Sequence, residues 1–332
     1  MLDLAKLSED ERSDLFRTAS VATGMQPAII EKDFWVCYTL DHLFQRSAFK
    51  DYIVFKGGTS LSKAFGLISR FSEDIDLILD WRLLGYRLNE PWDPRSNTQQ
   101  DKFKLESIER TNEYLATEFV PELRSALSEE LGSEANVYAA DEEETVIFEY
   151  PRIHYLSATL DVIRLEIGPL AAWTPTVQAK ITPYVAEVKS EVLQEILTLV
   201  TTVTPERTFW EKATILHQEA NRPESKKMPL RYARHYYDVF RLGNSPVKNG
   251  ALADTDLLKR VVDFKTRFYR APWAMLENAK PGSFKLAPPE FRLPELRADY
   301  TAMQDMLTGN RPTLDEILEY LQQLEDEINS LD

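Results

Sequence analysis

Apolar positions in the first fifty residues recur at helical spacing. Ser8 and Glu11 form a Ser-x-x-Glu capping box, and the segment behind it reads as a helix through about residue 22. A second helix is expected from Pro27 to about Arg46, with Ile29, Ile30, Phe34, Cys37, Tyr38 and Phe44 along its apolar side. The period then changes. YIVFK, from Tyr52, is a short β-branched and aromatic strand that stops at Gly57 and Gly58. Thr59 stands where it would cap the helix TSLSKAFGL, whose Leu61, Ala64, Phe65 and Ile68 face the core. DIDLILD, from Asp74, follows as a second strand. Residues 82–100, rich in Pro, Arg and Asn, read as a loop or insertion, and residues 101–131 as helix. TVIFEY, SATLDVIRLEIG and YVAEVK, around Thr145, Thr159 and Tyr184, supply three further strands. Past Ser190 the strand signal fades and helical patterns run to the C-terminus. The expected architecture is an α+β domain over residues 1–190 and a helical domain over 191–332.

Composition narrows the class. With 332 residues, 43% of them hydrophobic, the chain can bury one large core or two modest ones. Cys37 is the single cysteine, so no internal disulfide is possible and a reducing compartment is expected. The opening MLDLAKLSEDERSD lacks a basic stretch followed by an apolar one, and no run of about 18 apolar residues follows. The expectation is a cytoplasmic protein with no membrane partner. A formal charge of −15 argues against a surface that grips nucleic acid everywhere. One local exception stands out: Arg222, Lys226, Lys227, Arg231, Arg234 and Arg241, followed by Lys259, Arg260, Lys265, Arg267 and Arg270. Charge patterning alone reads these as solvated helix faces.

The stretch FKGGTSLSKAFGLISRFSEDIDLILD, residues 55–80, carries the candidate chemistry. It is not a Walker A loop, because GGTSLSK lacks the second glycine and the lysine directly after it. Nor is it an EF-hand loop, because Ile78 and Leu79 stand where a ligand and the turn glycine would be needed. On a strand, residues i and i+2 share a face, so Asp74 and Asp76 stand about 7 Å apart while Ile75, Leu77 and Leu79 point into the core. Two adjacent carboxylates repel, and a hard cation such as Mg²⁺ relieves the repulsion. The turn at Gly57 and Gly58 opens a helix and so offers backbone N–H groups to an anion. Either feature alone reads as a turn or a solvated strand. Together, within about 25 residues of one strand–turn–helix–strand unit, they point to a phosphate and metal site.

These residues carry a family resemblance. Gly-Gly-Thr-Ser followed by Asp-Ile-Asp resembles the signature of the polymerase-β-like nucleotidyltransferases. IEKDFWVCYTL, FKGGTSLSKAF, RFSEDIDL, ERTFWEKATILH and RYARHYYDVFRL resemble, in that order, blocks of the AbiEii/AbiGii toxin family, which includes the MenT toxins; they span residues 30–242. The resemblance implies a minimal nucleotidyltransferase fold, a mixed sheet flanked by helices, with a helical domain completing the site. It implies transfer of a nucleoside monophosphate from an NTP with Mg²⁺ (or Mn²⁺), a tRNA 3′ end as acceptor, a separately encoded antitoxin, and a part in phage defence. Lys56, Gly57, Gly58, Thr59 and Ser60 match the phosphate-binding turn, Asp74 and Asp76 the metal carboxylates, and Arg70 and Ser72 the pattern ahead of them.

Members of the superfamily add a third carboxylate from a neighbouring strand. In SATLDVIRLEIG, alternation puts Arg164 and Glu166 on one face, with Asp161 on the other; Glu166 is the candidate third ligand or base and Asp161 the reserve. Lys212, beside the stripe of Phe209, Ala213 and Leu216, would ordinarily be a snorkelling surface residue, but it matches the family's phosphate lysine. Asp238 would ordinarily pair along its helix with Arg234, four residues before it, or Arg241, three residues after it, but it matches the family's active-site acid. Glu31, Lys32 and Asp33 read as a structural ion-pair network. His154, His217 and His235 show no zinc-ligand spacing with Cys37. Two rival classes fit the same residues: a non-toxin transferase acting on a protein or small molecule, and a silent binding module of the same fold.

Overall fold

The computed structural model describes residues 1–72, 74–156, 161–171, 174–188, 193 and 196–331. Residues 1–64 with 72–202 form one compact unit, and residues 65–71 with 203–332 form a second. The expected boundary near residue 190 and the expected strand start at residues 157–160 lie outside the described residues.

The first unit is built on a seven-stranded sheet: β1 (Ile53–Lys56), β2 (Ile75–Leu79), β3 (Asn136–Ala139), β4 (Thr145–Glu149), β5 (Ile163–Gly168), β6 (Thr176–Ile181) and β7 (Thr198–Val203). The strand order is β3-β4-β5-β2-β1-β7-β6. β2 runs antiparallel to β1 but parallel to β5, and β1 runs parallel to β7, so the sheet is mixed. Phe55, Ile75, Leu77, Ile163, Leu165 and Ile167 are fully buried on one face. On the other face Lys56 pairs in register with Asp76, Asp76 with Glu166, and Glu166 with Thr145. Register partners share a face, so one row of polar residues crosses four strands.

Helices flank the sheet: α1 (Glu9–Thr23), α2 (Pro27–Asp41), α3 (Gly57–Lys63), α4 (Asn97–Tyr114) and α5 (Val120–Leu131). α1 begins with the capping box of Ser8 and Glu11, and α2 has Pro27 in its first turn. The expected helix over 101–131 is α4 and α5 joined through a wider π turn at Leu115–Phe119. α2 buries three consecutive charged residues, Glu31, Lys32 and Asp33. The Glu31 carboxylate accepts the backbone N–H groups of Ile153 and His154, each at 2.7 Å. Asp33 accepts the Tyr184 N–H at 2.6 Å and the Lys63 ammonium at 2.6 Å. Lys63 also lies 3.9 Å from the centre of the Tyr184 ring. Buried carboxylates persist only when so partnered.

Three sequence readings are corrected. Within YVAEVK, Tyr184–Glu187 is a 3₁₀ turn rather than a strand, because Pro183 precedes it and Asp33 takes the Tyr184 N–H. A strand does follow Ser190. β7 was hidden because its burial inverts the usual polarity: Leu199 is exposed, whereas Thr202 is buried and donates to the Phe55 carbonyl at 2.9 Å. β3 and β6 are short edge strands with mostly exposed residues, and they carry little apolar alternation.

The second unit is helical: α6 (Pro205–Ala220), α7 (Ala233–Gly243), α8 (Val247–Ala253), α9 (Thr255–Phe268), α10 (Leu293–Ala302) and α11 (Leu314–Asn329). Trp210, Tyr236 and Tyr237 are among its fully buried side chains. Segment 65–71 is held there by main-chain bonds, with Phe71 N–H donating to Met306 and Thr308 N–H donating to Ser69, both at 2.8 Å. None of the described helices is long and apolar enough to cross a membrane.

Candidate active site

The turn after β1 and the second aspartate of the Asp-Ile-Asp motif are in direct contact. Gly57 has φ +82°, in the left-handed region. A Cβ there would lie 1.9 Å from Asp76 Oδ2 and 2.5 Å from its Cγ, well inside contact distance. The Asp76 carboxylate therefore rests against the backbone of the Gly57 turn, in space that any side chain at 57 would fill.

The residues around this contact are tied to it. Thr59 is fully buried; its hydroxyl donates to the Asp74 carbonyl at 2.6 Å and lies 3.0 Å from the Ser72 hydroxyl. It does not cap the helix as its sequence position suggested. α3 already begins at Gly57, whose positive φ turns the chain two residues early, and its N-cap residue Lys56 makes no side-chain cap bond. Ser60, also buried, donates to the Gly57 carbonyl at 2.9 Å and so braces the turn itself. Thr59→Val keeps the shape and removes the hydroxyl. It is expected to cost about 0.5–1.5 kcal/mol, because the hydrogen bond from the fully buried Thr59 to the Asp74 carbonyl is lost, and urea unfolding would measure it.

Asp74 lies just before β2, Asp76 within it, and Glu166 opposite Asp76 on β5. Arg164, two residues before Glu166, stands on the same face. Each nitrogen of its guanidinium faces a different carboxylate: Nε lies 3.9 Å from Asp74 Oδ1, Nη2 3.8 Å from Glu166 Oε1, and Nη1 3.3 Å from Glu142 Oε2. Asp161 lies before β5 and pairs with Arg152. A further carboxylate, Glu144, belongs to no motif that would mark it in the sequence. It takes φ +56°, its N–H donates to Asn112 Oδ1 at 2.8 Å, and its Oε1 lies 3.3 Å from where a Gly168 Cβ would be. Burial pushes its carboxyl pKa up, against the pull of Lys56.

Among the described residues, no three His, Cys, Asp or Glu side chains converge as a metal cluster. The donor set nevertheless suits a hard divalent ion. Asp74, Asp76 and Glu166 offer only carboxylate oxygens on one sheet face, and the Arg164 guanidinium already stands beside two of them as a cationic stand-in.

In the second unit, Asp238 on α7 is completely buried between two cations. Arg70 holds it bidentately, Nε to Oδ1 at 2.7 Å and Nη2 to Oδ2 at 2.9 Å, and the Lys212 ammonium donates to Oδ2 at 2.7 Å. Burial would raise this carboxyl, yet the charges and hydrogen bonds of Arg70 and Lys212 hold it well below the usual carboxylate range. The acid is therefore paired with Arg70 and Lys212 rather than along its own helix with Arg234 or Arg241, and Lys212 is buried rather than snorkelling. An ammonium has three donors, and this pairing uses one of them. His235, one helical turn before Asp238, is buried as well, and burial with Lys212 and Arg234 nearby keeps it neutral. His217 is structural, facing the Met275 carbonyl and the Lys285 N–H.

A family model described as nucleotidyl transferase AbiEii toxin, type IV toxin–antitoxin system, matches residues 38–320. The chain belongs to this family of nucleotidyltransferase toxins. The matched span of the AbiEii model includes every candidate residue above, from Lys56 to Asp238. Among solved structures the chain is similar to MenT4, a nucleotidyltransferase toxin from Mycobacterium tuberculosis H37Rv, at 17% identity. That similarity covers 98% of this chain and 91% of MenT4, with a TM-score of 0.49. No curated protein matches.

The basic segment is partly spent on internal contacts. Arg222 is paired with Glu219 at 2.7 Å and stacked 4.5 Å from the Trp273 ring centre. Lys226, Lys227, Lys259, Arg260 and Arg270 are exposed.

Proposed function

We propose that the protein transfers a nucleoside monophosphate from an NTP to an acceptor hydroxyl. The acceptor oxygen bonds to the α-phosphorus, the bond to the pyrophosphate oxygen breaks in line, and pyrophosphate leaves. The observation that carries this is the contact of Asp76 with the Gly57 turn, which places a carboxylate directly against the turn that the family resemblance assigns to the phosphates. Asp74 and Asp76 would hold Mg²⁺, or Mn²⁺ in its place, with Glu166 as the third carboxylate. Bound there, the ion would polarise the α-phosphate and stabilise its developing charge.

The chain's own residues supply the rest. Glu166, half-exposed and in register with Asp76, would accept the proton of the attacking hydroxyl. Thr59, Ser60 and Ser72 brace the turn and the Asp74 backbone rather than reaching for phosphate in the free protein. Lys212, with two donors beyond its pairing to Asp238, would neutralise nucleotide phosphate charge, and Arg70 and Asp238 would orient it. The acceptor is the tRNA 3′ end, docked on the exposed lysines and arginines between Lys226 and Arg270. The protein acts in the cytoplasm as a toxin restrained by a separately encoded antitoxin, in defence against phage.

The test incubates wild type, Asp74→Ala and Asp76→Ala proteins with each α-labelled NTP, Mg²⁺ and total RNA. Label in the tRNA fraction that both variants lose, together with growth arrest on expression that both variants relieve, is the expected result. Label in protein or a small molecule instead of RNA would point to the rival acceptor class. No label from any NTP would overturn the enzymatic reading.

A further inference from the structure

Arg164 is not among the residues that the family resemblance selects, yet its guanidinium faces carboxylates on three sides. All three of its nitrogens are directed at acids, and its side chain is only 22% exposed. The contact with Glu142 is within hydrogen-bond range at 3.3 Å, whereas those with Asp74 and Glu166 are looser ion pairs at 3.9 and 3.8 Å. The strand geometry accounts for the placement. Arg164 and Glu166 are two residues apart on β5, and Asp74 precedes β2 at the height of Arg164, since Ile75 is in register with Leu165 and Asp76 with Glu166.

Carboxylates gathered on one face repel one another, and a fold that places them there must offset the repulsion when no metal is present. We propose that Arg164 is a positioning residue for the metal: its guanidinium is a resident counter-cation of Asp74 and Glu166, and it yields that place to a divalent ion while keeping its hydrogen bond to Glu142. The proposal rests on the reading that Asp74, Asp76 and Glu166 bind the metal. The two loose ion pairs give way at small cost, and Glu142, itself 64% exposed, anchors the side chain as they do. Arg164 thus maintains the metal-free carboxylates and at the same time competes with the ion, setting its affinity well below what the bare carboxylates would give. A fixed positive charge a few ångströms from a divalent cation opposes its binding, and the opposition grows as the local dielectric falls.

The experiment measures Mn²⁺ affinity by titration, with electron paramagnetic resonance of free Mn²⁺ as the readout, on wild type, Arg164→Gln, Arg164→Met, Arg164→Lys and Asp76→Asn, alongside the melting temperature of each metal-free protein. Arg164→Gln and Arg164→Met are expected to bind Mn²⁺ at least about fivefold more tightly than wild type while melting lower without metal, because each removes a competing charge and an apo counter-ion together. Arg164→Lys keeps the charge and is expected to stay within about twofold of wild type. General damage to the fold weakens a metal site, so tighter binding in a less stable protein has no merely structural explanation. Unchanged or weaker Mn²⁺ binding in both neutral variants overturns the role of Arg164. Failure of the underlying reading looks different: wild type would then bind no Mn²⁺, or Asp76→Asn would bind it as well as wild type, and the proposal would fall with it.

Discussion

Gly57→Ala is expected to abolish nucleotidyl transfer as completely as Asp76→Ala does, although it adds only one methyl group. The added carbon would lie 1.9 Å from Asp76 Oδ2 and 2.9 Å from Asp76 Cβ. These are atoms of a short side chain fixed in the middle of the sheet, so the conflict cannot be relieved by swinging a flexible end away. Either the Asp76 carboxylate leaves its place or the turn does. A misplacement of about 1 Å in an active site costs on the order of 100-fold in rate, and here both proposed elements move at once. The backbone adds to the effect, because alanine at φ +82° carries about 1 kcal/mol or more of strain that glycine does not. Steady-state transfer rates and Mn²⁺ affinity would be measured together. Transfer at more than a tenth of the wild-type rate would show that Asp76 does not need this position. Gly58→Ala is the comparison, since Gly58 does not have the positive φ of Gly57.

Removing Asp238 is expected to produce the largest loss of stability. Asp238→Ala leaves the Arg70 and Lys212 cations buried without the carboxylate that three of their N–H groups address. Breaking a buried ion pair by deleting one partner costs about 3–5 kcal/mol. Urea unfolding followed by far-ultraviolet circular dichroism would measure it, and a loss below about 1 kcal/mol would contradict the account of this cluster. A pH signature accompanies it. The folded carboxyl titrates below the unfolded one, so its contribution is present above the unfolded value of about 3.9 and is lost as pH falls from there toward the folded value. Wild-type stability should therefore fall on acidification below about pH 4, and Asp238→Asn should lack that part of the slope.

Much of this was legible in the chain. The capping box of Ser8 and Glu11, the proline start at Pro27, the strand YIVFK and the strand within DIDLILD are local patterns, and the structure has them at or within a few residues of the expected places. Strand alternation separates Glu166 from Asp161 on one strand but says nothing of which strand lies beside it; the pairing of β2 with β5 is what puts Glu166 in register with Asp76. The alternation also put Arg164 on the face of Glu166, so the signal for its role was present. What was missing was the neighbour strand that brings Asp74 within 3.9 Å. The readings that failed did so where a distant partner decides local structure: Asp33 turns Tyr184–Glu187 into a 3₁₀ turn, and the Phe55 carbonyl lets β7 bury a threonine.

The sequence by itself determined the elements, the chemistry available to the site, and the family, because capping, periodicity and motif spacing are written in consecutive residues. Tertiary structure alone decided which groups meet. That Gly57 has no room for a side chain depends on Asp76 nineteen residues later, and that Asp238 is an ion-pair centre depends on Arg70 and Lys212. Short-range preferences fix how a chain turns within a few residues. Which charges share a buried space is set by how strands and helices pack across the whole chain, where the cost of an unpaired charge selects the partner.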